Sequence, residues 1–387
     1  SYQCVAPPLR LFHGPASLDQ LGKELDRAKA FRAVIVCGAS LSRNGDLLAR
    51  IRRAAGERCA GVFAGVRAHS PIPSVQAACE ELRRLGADAV VAAGGGSAIV
   101  TARAASILLA EGKAPAALCT APDGRGGLRS PRLAADKLPQ FIVPTTPTTA
   151  AVKAGSAVFD PASGERLALF DPKTRAQAIF IDPDMMLSAP TGLVASAGIN
   201  AFSTAIEGLV SRSGNPVSDA LLMHAVRLLA RHLAAPRGLE DAGVRGEATV
   251  AALLCGQGTD HTGAGVTTVL GHALGARFAV ENGTVNAIIL PHALEYNAGH
   301  AAGGLVKVAA ALGIAGTEPA MLVPAIADAA RRIFRANGMP LRLRDIGIRA
   351  GALRDVAAAG MDDWFLRGNP RAVKDAGELL EILEKAW

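Results

Sequence analysis

Residues 87–110 read ADAVVAAGGGSAIVTARAASILLA. The apolar run Ala87 to Ala93 leads directly into Gly94-Gly95-Gly96-Ser97, and an apolar helical pattern continues over Ala98 to Ala110. The pattern predicts a buried strand, a turn without side chains, and a helix. Backbone amides exposed at such a helix start suit an anion of the pyrophosphate kind. A triple glycine also makes a plain tight turn, but the strand before it and the helix after it favour the phosphate reading.

Upstream, Phe31 to Cys37 (FRAVIVC) reads as a strand ending at Gly38, Asp46 to Ala55 as a helix, Cys59 to Val66 as a strand and Ser74 to Gly86 as an amphipathic helix. Downstream, Gln140 to Val143 and Ala178 to Ile181 are further strands, with a polar hairpin over Phe159 to Lys173 between them. Strand and helix alternating at this spacing imply a parallel sheet with right-handed crossovers. Ligands of such sheets sit beyond the carboxyl ends of the strands. The loop Pro144-Thr145-Thr146-Pro147-Thr148-Thr149 leaves one of those ends, so its threonines either donate to a nucleotide or cap the next helix.

After Asp184 the pattern turns helical, over 191–236, 244–256, 264–280, 303–313, 318–337 and 371–386. The expectation is an α/β domain over residues 1–184 and an all-helical domain over 185–387. A length of 387 residues also favours two domains, at roughly 100 to 200 residues each. The uncharged run between Asp184 and Glu207 is 22 residues, long enough to cross a bilayer. Its Pro190, Gly192, Gly198, Asn200, Ser203 and Thr204 point instead to the buried helix of a soluble protein. Residues 1–10 lack the basic start and apolar core of a signal peptide, so a cytoplasmic protein is expected.

Half of the residues are hydrophobic and 19% are charged, which excludes a disordered chain. The net charge of +7 comes from 32 Arg and 9 Lys, dispersed along the sequence. With 4% aromatic residues and no basic stripe, nucleic-acid binding is not expected, and a small anionic substrate fits better. The six cysteines form no CxxC pair and no Cys/His cluster at zinc spacing, so they read as reduced, mostly buried side chains. In the helical half, Asn200 and Thr204 stand four apart on one helix face. Asp260-His261 and His272 lie in a glycine-punctuated helical stretch, and His292 follows Pro291 at an expected helix start.

These residues carry a resemblance that spans nearly the whole chain. GGGS at 94–97, PTT at 144–146, IDPDMMLSAPTGLVASAGINAFSTAIEGL at 181–209 and ALGARFAVENGTVNAIILPHALEYN at 273–297 resemble the iron-containing alcohol dehydrogenase family, most nearly its maleylacetate reductase branch. The resemblance implies a Rossmann-like nucleotide-binding domain, a helical domain of the dehydroquinate synthase-like architecture, and hydride transfer between a nicotinamide and a carbonyl or alcohol in a cleft between them. It also implies a homodimer.

Carried over residue by residue, the family's four metal ligands fall on Asn200, Thr204, Thr268 and Asn282. Neutral Asn and Thr oxygens do not hold a first-row divalent metal against water, so no catalytic metal is expected. The family's Asp beyond GGGS falls at Val100, its following Lys at Arg103, and the glycine-serine-glutamate stretch after PTT is replaced by Thr148 to Val152. Gly94, Gly95, Gly96, Ser97, Thr145, Thr146, Thr149, Gly38, Ser40 and Arg166 are then the expected cofactor contacts. The acidic residue that would bind the ribose of NAD is Gly38, which removes repulsion against a 2′-phosphate, so the cofactor is NADP or NAD with a lean to NADP.

The resulting expectation is a metal-independent NAD(P)H-dependent reductase of a small, anionic carbonyl. Asn200, Thr204, Thr268 and Asn282 would line the former metal pocket as neutral donors, and His272 or His261 would deliver the proton. Arg277 or Arg166 would attract the substrate. The competing expectation is a non-catalytic relative that keeps the fold as a nucleotide-binding or interaction module.

Overall fold

The computed structural model describes residues 2–122 and 128–387 and separates into two compact units, Ala6–Ala189 and Pro190–Trp387, with the N-terminal residues up to Val5 counted with the second. The strands are β1 (Arg10–His13), β2 (Ala33–Gly38), β3 (Cys59–Val66), β4 (Ala89–Gly94), β5 (Ala121–Pro122), β6 (Leu128–Arg129), β7 (Gln140–Pro144), β8 (Gly155–Asp160), β9 (Glu165–Phe170) and β10 (Ala176–Ile181). The helices of the first unit are α1 (Leu21–Arg27), α2 (Ala39–Arg43), α3 (Gly45–Ala55), α4 (Ile72–Arg84), α5 (Gly96–Glu111), α6 (Pro115–Leu118) and α7 (Pro183–Leu187).

Six strands pair in parallel in the order β1-β10-β7-β4-β2-β3. The central strands are apolar on both faces, as a parallel sheet covered by helices requires: Ala33 to Cys37, Ala89 to Ala93 and Phe141 to Val143 are fully buried. The expected α/β fold class holds. Strand β1 escaped the sequence reading because it is four residues long and exposes Arg10, Leu11 and His13. The hairpin β8–β9 begins at Gly155 rather than at Phe159, with its register running from Gly155↔Phe170 to Asp160↔Glu165.

The second unit is helical: α8 (Thr191–Val210), α9 (Pro216–Leu233), α10 (Ala242–Thr262), α11 (Val266–Phe278), α12 (Asn282–Asn297), α13 (Ala302–Leu312), α14 (Pro319–Ala336), α15 (Leu353–Gly360) and α16 (Ala376–Ala386). The single stretch expected over 191–236 is two helices. Asn215 breaks it by accepting from the amides of Val217 and Ser218 while Ser218 Oγ accepts from its own, a capping box with Pro216 at the first helical position.

Pro291 does not start a helix; it lies inside α12, among the buried Ile288, Ile289, Leu290 and Ala293. Packing on this all-round apolar stretch outweighs the backbone bond that the proline ring removes. Helix α10 runs six residues beyond the expected end at 256, which carries His261 into its last turn. The uncharged run at 185–206 makes most of α8, an apolar helix long enough to span a membrane, but 78% of its most apolar window is buried within the fold.

Candidate active site

In the first unit, β2, β4 and β7 lie side by side, so their carboxyl ends bring Gly38, Gly94 and Pro144 to one edge of the sheet. Gly94 has φ +141°, a conformation that side chains rarely adopt. Gly95 precedes α5 in an extended conformation with no side-chain cap. A Cβ on Gly95 would stand 3.1 Å from Thr146 Oγ1, and one on Gly96 3.2 Å from Thr148 Oγ1. The two loops therefore pack closely at glycines, where a side chain would press on the threonine hydroxyls. Thr145 N donates to Gly94 O at 3.1 Å, and Thr145 and Thr146 are buried. Bare amides at the start of a 16-residue helix fit a dinucleotide pyrophosphate.

The remaining expected cofactor contacts are tied to this edge. Thr149 opens a short turn whose cap is Thr148 Oγ1, accepting from Ala150 N. Arg103, in the family's lysine position, is fully buried and donates to Ala150 O and Gly155 O, so it holds the loop after the threonines. Ser70 Oγ donates to Ser97 O, Phe159 N donates to Ser70 O, and Phe159 is in register with Arg166. That chain of contacts fastens the hairpin bearing Arg166 to the glycine loop. Ser40 is exposed on α2, and a Cβ on Gly38 would meet only Val66 O, at 3.7 Å, so this position has room for a side chain.

In the second unit, Asn200, Thr204 and Glu207 lie on one face of α8. Thr204 Oγ1 donates to Asn200 O at 2.8 Å, which commits the hydroxyl within its own helix. The buried Glu207 reaches α11, where it accepts from Thr267 N (2.5 Å), Thr268 N (3.0 Å) and Thr268 Oγ1 (2.6 Å). Glu207 thus caps α11 in place of Gly265, which has no side chain to do so. Burial pushes the Glu207 carboxyl above its ordinary value, and the hydrogen bonds from Thr268 and Thr267 pull only part of the way back.

The side-chain amides of Asn200 and Asn286 meet at 2.9 Å, and Asn286 also lies within hydrogen-bonding distance of Thr267 O (3.2 Å) and Asn282 O (3.1 Å). Glycines of α11 and the residue before it make room for this polar group. A Cβ on Gly265 would come within 3.0 Å of Glu207 Oε1, one on Gly271 within 2.3 Å of Asn286 Oδ1, and one on Gly275 within 2.7 Å of Asn282 Oδ1.

The structure therefore joins Asn200, Thr204, Thr268 and Asn282 through Glu207 and Asn286, two residues that the sequence reading did not single out. Glu207 carried a usable signal, since it follows Asn200 and Thr204 at helical spacing in an otherwise uncharged run. Arg277 is ion-paired with Asp355 at 2.7 Å. His261 Nε2 lies 3.5 Å from Cys4 Sγ in the last turn of α10. His272 Nδ1 lies 2.8 Å from Asp363 Oδ2, with Phe365 packed at a ring distance of 5.7 Å.

A divalent iron or zinc ion does not fit these donors. The four positions offer only neutral amide and hydroxyl oxygens, which hold these metals poorly against water, and among the described residues no three His, Cys, Asp or Glu gather into a metal-binding group.

The model of the iron-containing alcohol dehydrogenase family matches residues 8–183, and that of the C-terminal part of the Fe-containing alcohol dehydrogenase family matches residues 194–387. The chain belongs to the iron-containing alcohol dehydrogenase family. This iron-containing alcohol dehydrogenase family member is 30% identical to lactaldehyde reductase of Escherichia coli (strain K12) over 97% of both chains. It is 27% identical to maleylacetate reductase of Sphingobium indicum, over 98% of this chain and 95% of that one.

Among solved structures, a 1,3-propanediol oxidoreductase superposes with a TM-score of 0.88 at 24% identity, covering 98% of both chains. A sulfoacetaldehyde reductase from Bifidobacterium kashiwanohense in complex with NAD+ superposes with a TM-score of 0.85 at 21% identity, covering 100% of this chain and 99% of that one. The two relatives are reductases, and this family member is an oxidoreductase of CH–OH or carbonyl groups.

Proposed function

We propose that the chain is a metal-independent reductase that uses NADPH or NADH to convert a small carbonyl compound to an alcohol. The observation that carries this reading is the polar group at the four family metal positions: each is polar, none is a good ligand for iron or zinc, and two have their hydroxyls engaged by protein acceptors. When bound, the dinucleotide supplies hydride.

As hydride reaches the carbonyl carbon, negative charge grows on the oxygen and must be met by donors or by an acid. The amides of Asn200 and Asn282, both partly exposed, are the donors retained for that task. The Thr204 hydroxyl donates within its own helix and that of Thr268 to Glu207, so neither proton is directed to the substrate. His272 delivers the proton. NADPH is favoured over NADH because no carboxylate stands at Gly38 to repel a 2′-phosphate. Arg166, on the hairpin fastened to the glycine loop, or Arg277 would attract an anionic substrate.

The engagement of both threonine hydroxyls also favours a second reading, a nucleotide-binding relative without turnover. The test is a fluorescence titration of metal-stripped protein with NADPH and NADH, followed by turnover assays on short aldehydes and oxo acids. Absence of nucleotide binding refutes both readings, and binding without turnover supports the second.

A further inference from the structure

Of the polar contacts that the proposed chemistry does not explain, the pair His272–Asp363 is the most developed. The two side chains come from α11 and from the loop after α15, 91 residues apart in sequence, and meet through Nδ1 and Oδ2 at 2.8 Å. Each keeps 19% of its side-chain exposure, so the contact is shielded but open to a small reactant.

Asp363 is fixed from several directions. Its Oδ1 accepts from Phe365 N at 3.0 Å, its own amide donates to Gly360 O at 3.2 Å, and its carbonyl accepts from Leu366 N at 3.2 Å. Phe365 packs against the His272 ring and meets Trp364 edge to face at 5.6 Å. Further along the loop, Arg212 Nη2 donates to Arg367 O at 2.8 Å, and a Cβ on Gly368 would come within 2.5 Å of Ala264 O. The loop is seated closely on the turn that leads into α11. On α11, His272 stands four residues after Thr268, one turn along the same face.

We propose that Asp363 is a positioning residue for His272, holding the proton on Nδ1 so that Nε2 is the atom at which a proton is exchanged with the substrate oxygen. The inference rests on the reductase reading. In the reduction, hydride from the nicotinamide forms the new C–H bond and the carbonyl π pair moves to oxygen. That oxygen takes the proton from Nε2 of the imidazolium, and the neutral ring recovers a proton from water. An anionic carboxylate on Nδ1 stabilises the imidazolium before transfer and fixes the ring for it.

Other charged groups stand on the elements packed around α11. Glu207 of α8 caps Thr267 and Thr268, Asp355 of α15 pairs with Arg277, and His292 and Glu295 of α12 lie 3.9 Å apart. Asp362 and Arg367 flank Asp363 in the loop itself.

The test combines NMR titration of ¹³C-labelled histidine with pH profiles of kcat in the full chain, for wild type, Asp363→Asn, Asp363→Glu and His272→Ala. Asparagine keeps an acceptor for Phe365 N, so the loop is retained. Asp363→Asn is expected to lower the His272 ionisation by about one pH unit. It is also expected to reduce kcat by on the order of 100-fold, with KM for NADPH unchanged and Asp363→Glu recovering part of the loss. An unchanged His272 titration in Asp363→Asn overturns the pairing. Wild-type turnover in His272→Ala, with the titration shift intact, overturns instead the reading of His272 as proton donor.

Discussion

Replacing Glu207 with alanine removes the acceptor that caps α11. Three donors lose their partner: Thr267 N, Thr268 N and Thr268 Oγ1, all on residues at most 6% exposed. A buried donor left unpaired costs about 1–3 kcal/mol, so the three together set an upper range of about 3–9 kcal/mol. Water entering the vacated space and relief of the buried carboxylate's own desolvation bring the expected cost to about 3 kcal/mol.

The chain's two tryptophans, Trp364 and Trp387, both belong to the second unit, so their fluorescence reads its unfolding separately from the first. With a urea dependence of about 2–3 kcal/mol per molar, the midpoint for Glu207→Ala falls by roughly 1 M. Glu207→Gln, which keeps one acceptor oxygen, falls between wild type and alanine. Burial raises the Glu207 carboxyl, so the folded chain holds this proton more tightly than the unfolded chain. Its stabilising contribution is complete below the ordinary carboxylate pKa and declines as pH rises toward the folded value. The non-titrating glutamine variant lacks that decline, so the wild-type advantage over it narrows through the same window. A midpoint for Glu207→Ala within about 0.2 M of wild type, against the roughly 1 M expected from the linear urea dependence, would refute the capping role.

Further outcomes follow from close approaches and burial. A Cβ on Gly283 would stand 1.9 Å from Ser196 O, so Gly283→Ala is expected to lower the thermal midpoint of the second unit or leave the chain insoluble, and a wild-type melting curve contradicts the packing of α12 on α8. Gly38→Asp has room for its side chain and is expected to weaken NADPH binding at least tenfold relative to NADH in fluorescence titration, a ratio of about 1.4 kcal/mol. Burial pushes the thiols of Cys37 and Cys119 up to about 11, and Cys79 and Cys255 are buried as well. Alkylation of the native chain at neutral pH, followed by mass spectrometry, is therefore expected to modify Cys4 and Cys59 first and the other four only on unfolding.

The first unit was legible because its signals are local. An apolar run closed by a turn residue marks a strand within a dozen residues, and β2 and β4, which end at glycine, and β7, which ends at proline, carry that mark. Strand β1 does not, since four residues of which three are exposed have no pattern until β10 pairs with them. In the second unit the helical period was readable, whereas breaks set by packing were not. Pro291 looked like a helix start because proline favours one, and only the surrounding buried side chains keep it inside α12.

The candidate site was half visible for the same reason. Asn200, Thr204 and His272 could be placed by position, but the contacts that define their chemistry join residues far apart in sequence. Glu207 and Thr268 are 61 residues apart, Asn200 and Asn286 86, and His272 and Asp363 91. Sequence spacing carried no trace that the threonine hydroxyls donate to protein acceptors, which in the proposed reaction shifts the donor role to the two asparagines.

The central claim is reduction without a metal. The most direct measurement is NADPH oxidation with short aldehydes and oxo acids by protein expressed in iron- and zinc-supplemented medium, before and after exhaustive chelation, with elemental analysis of the same samples. Less than a tenth of an equivalent of bound metal and equal turnover in both samples are expected. One equivalent of tightly held iron or zinc, with turnover lost on its removal and restored on its return, would contradict it.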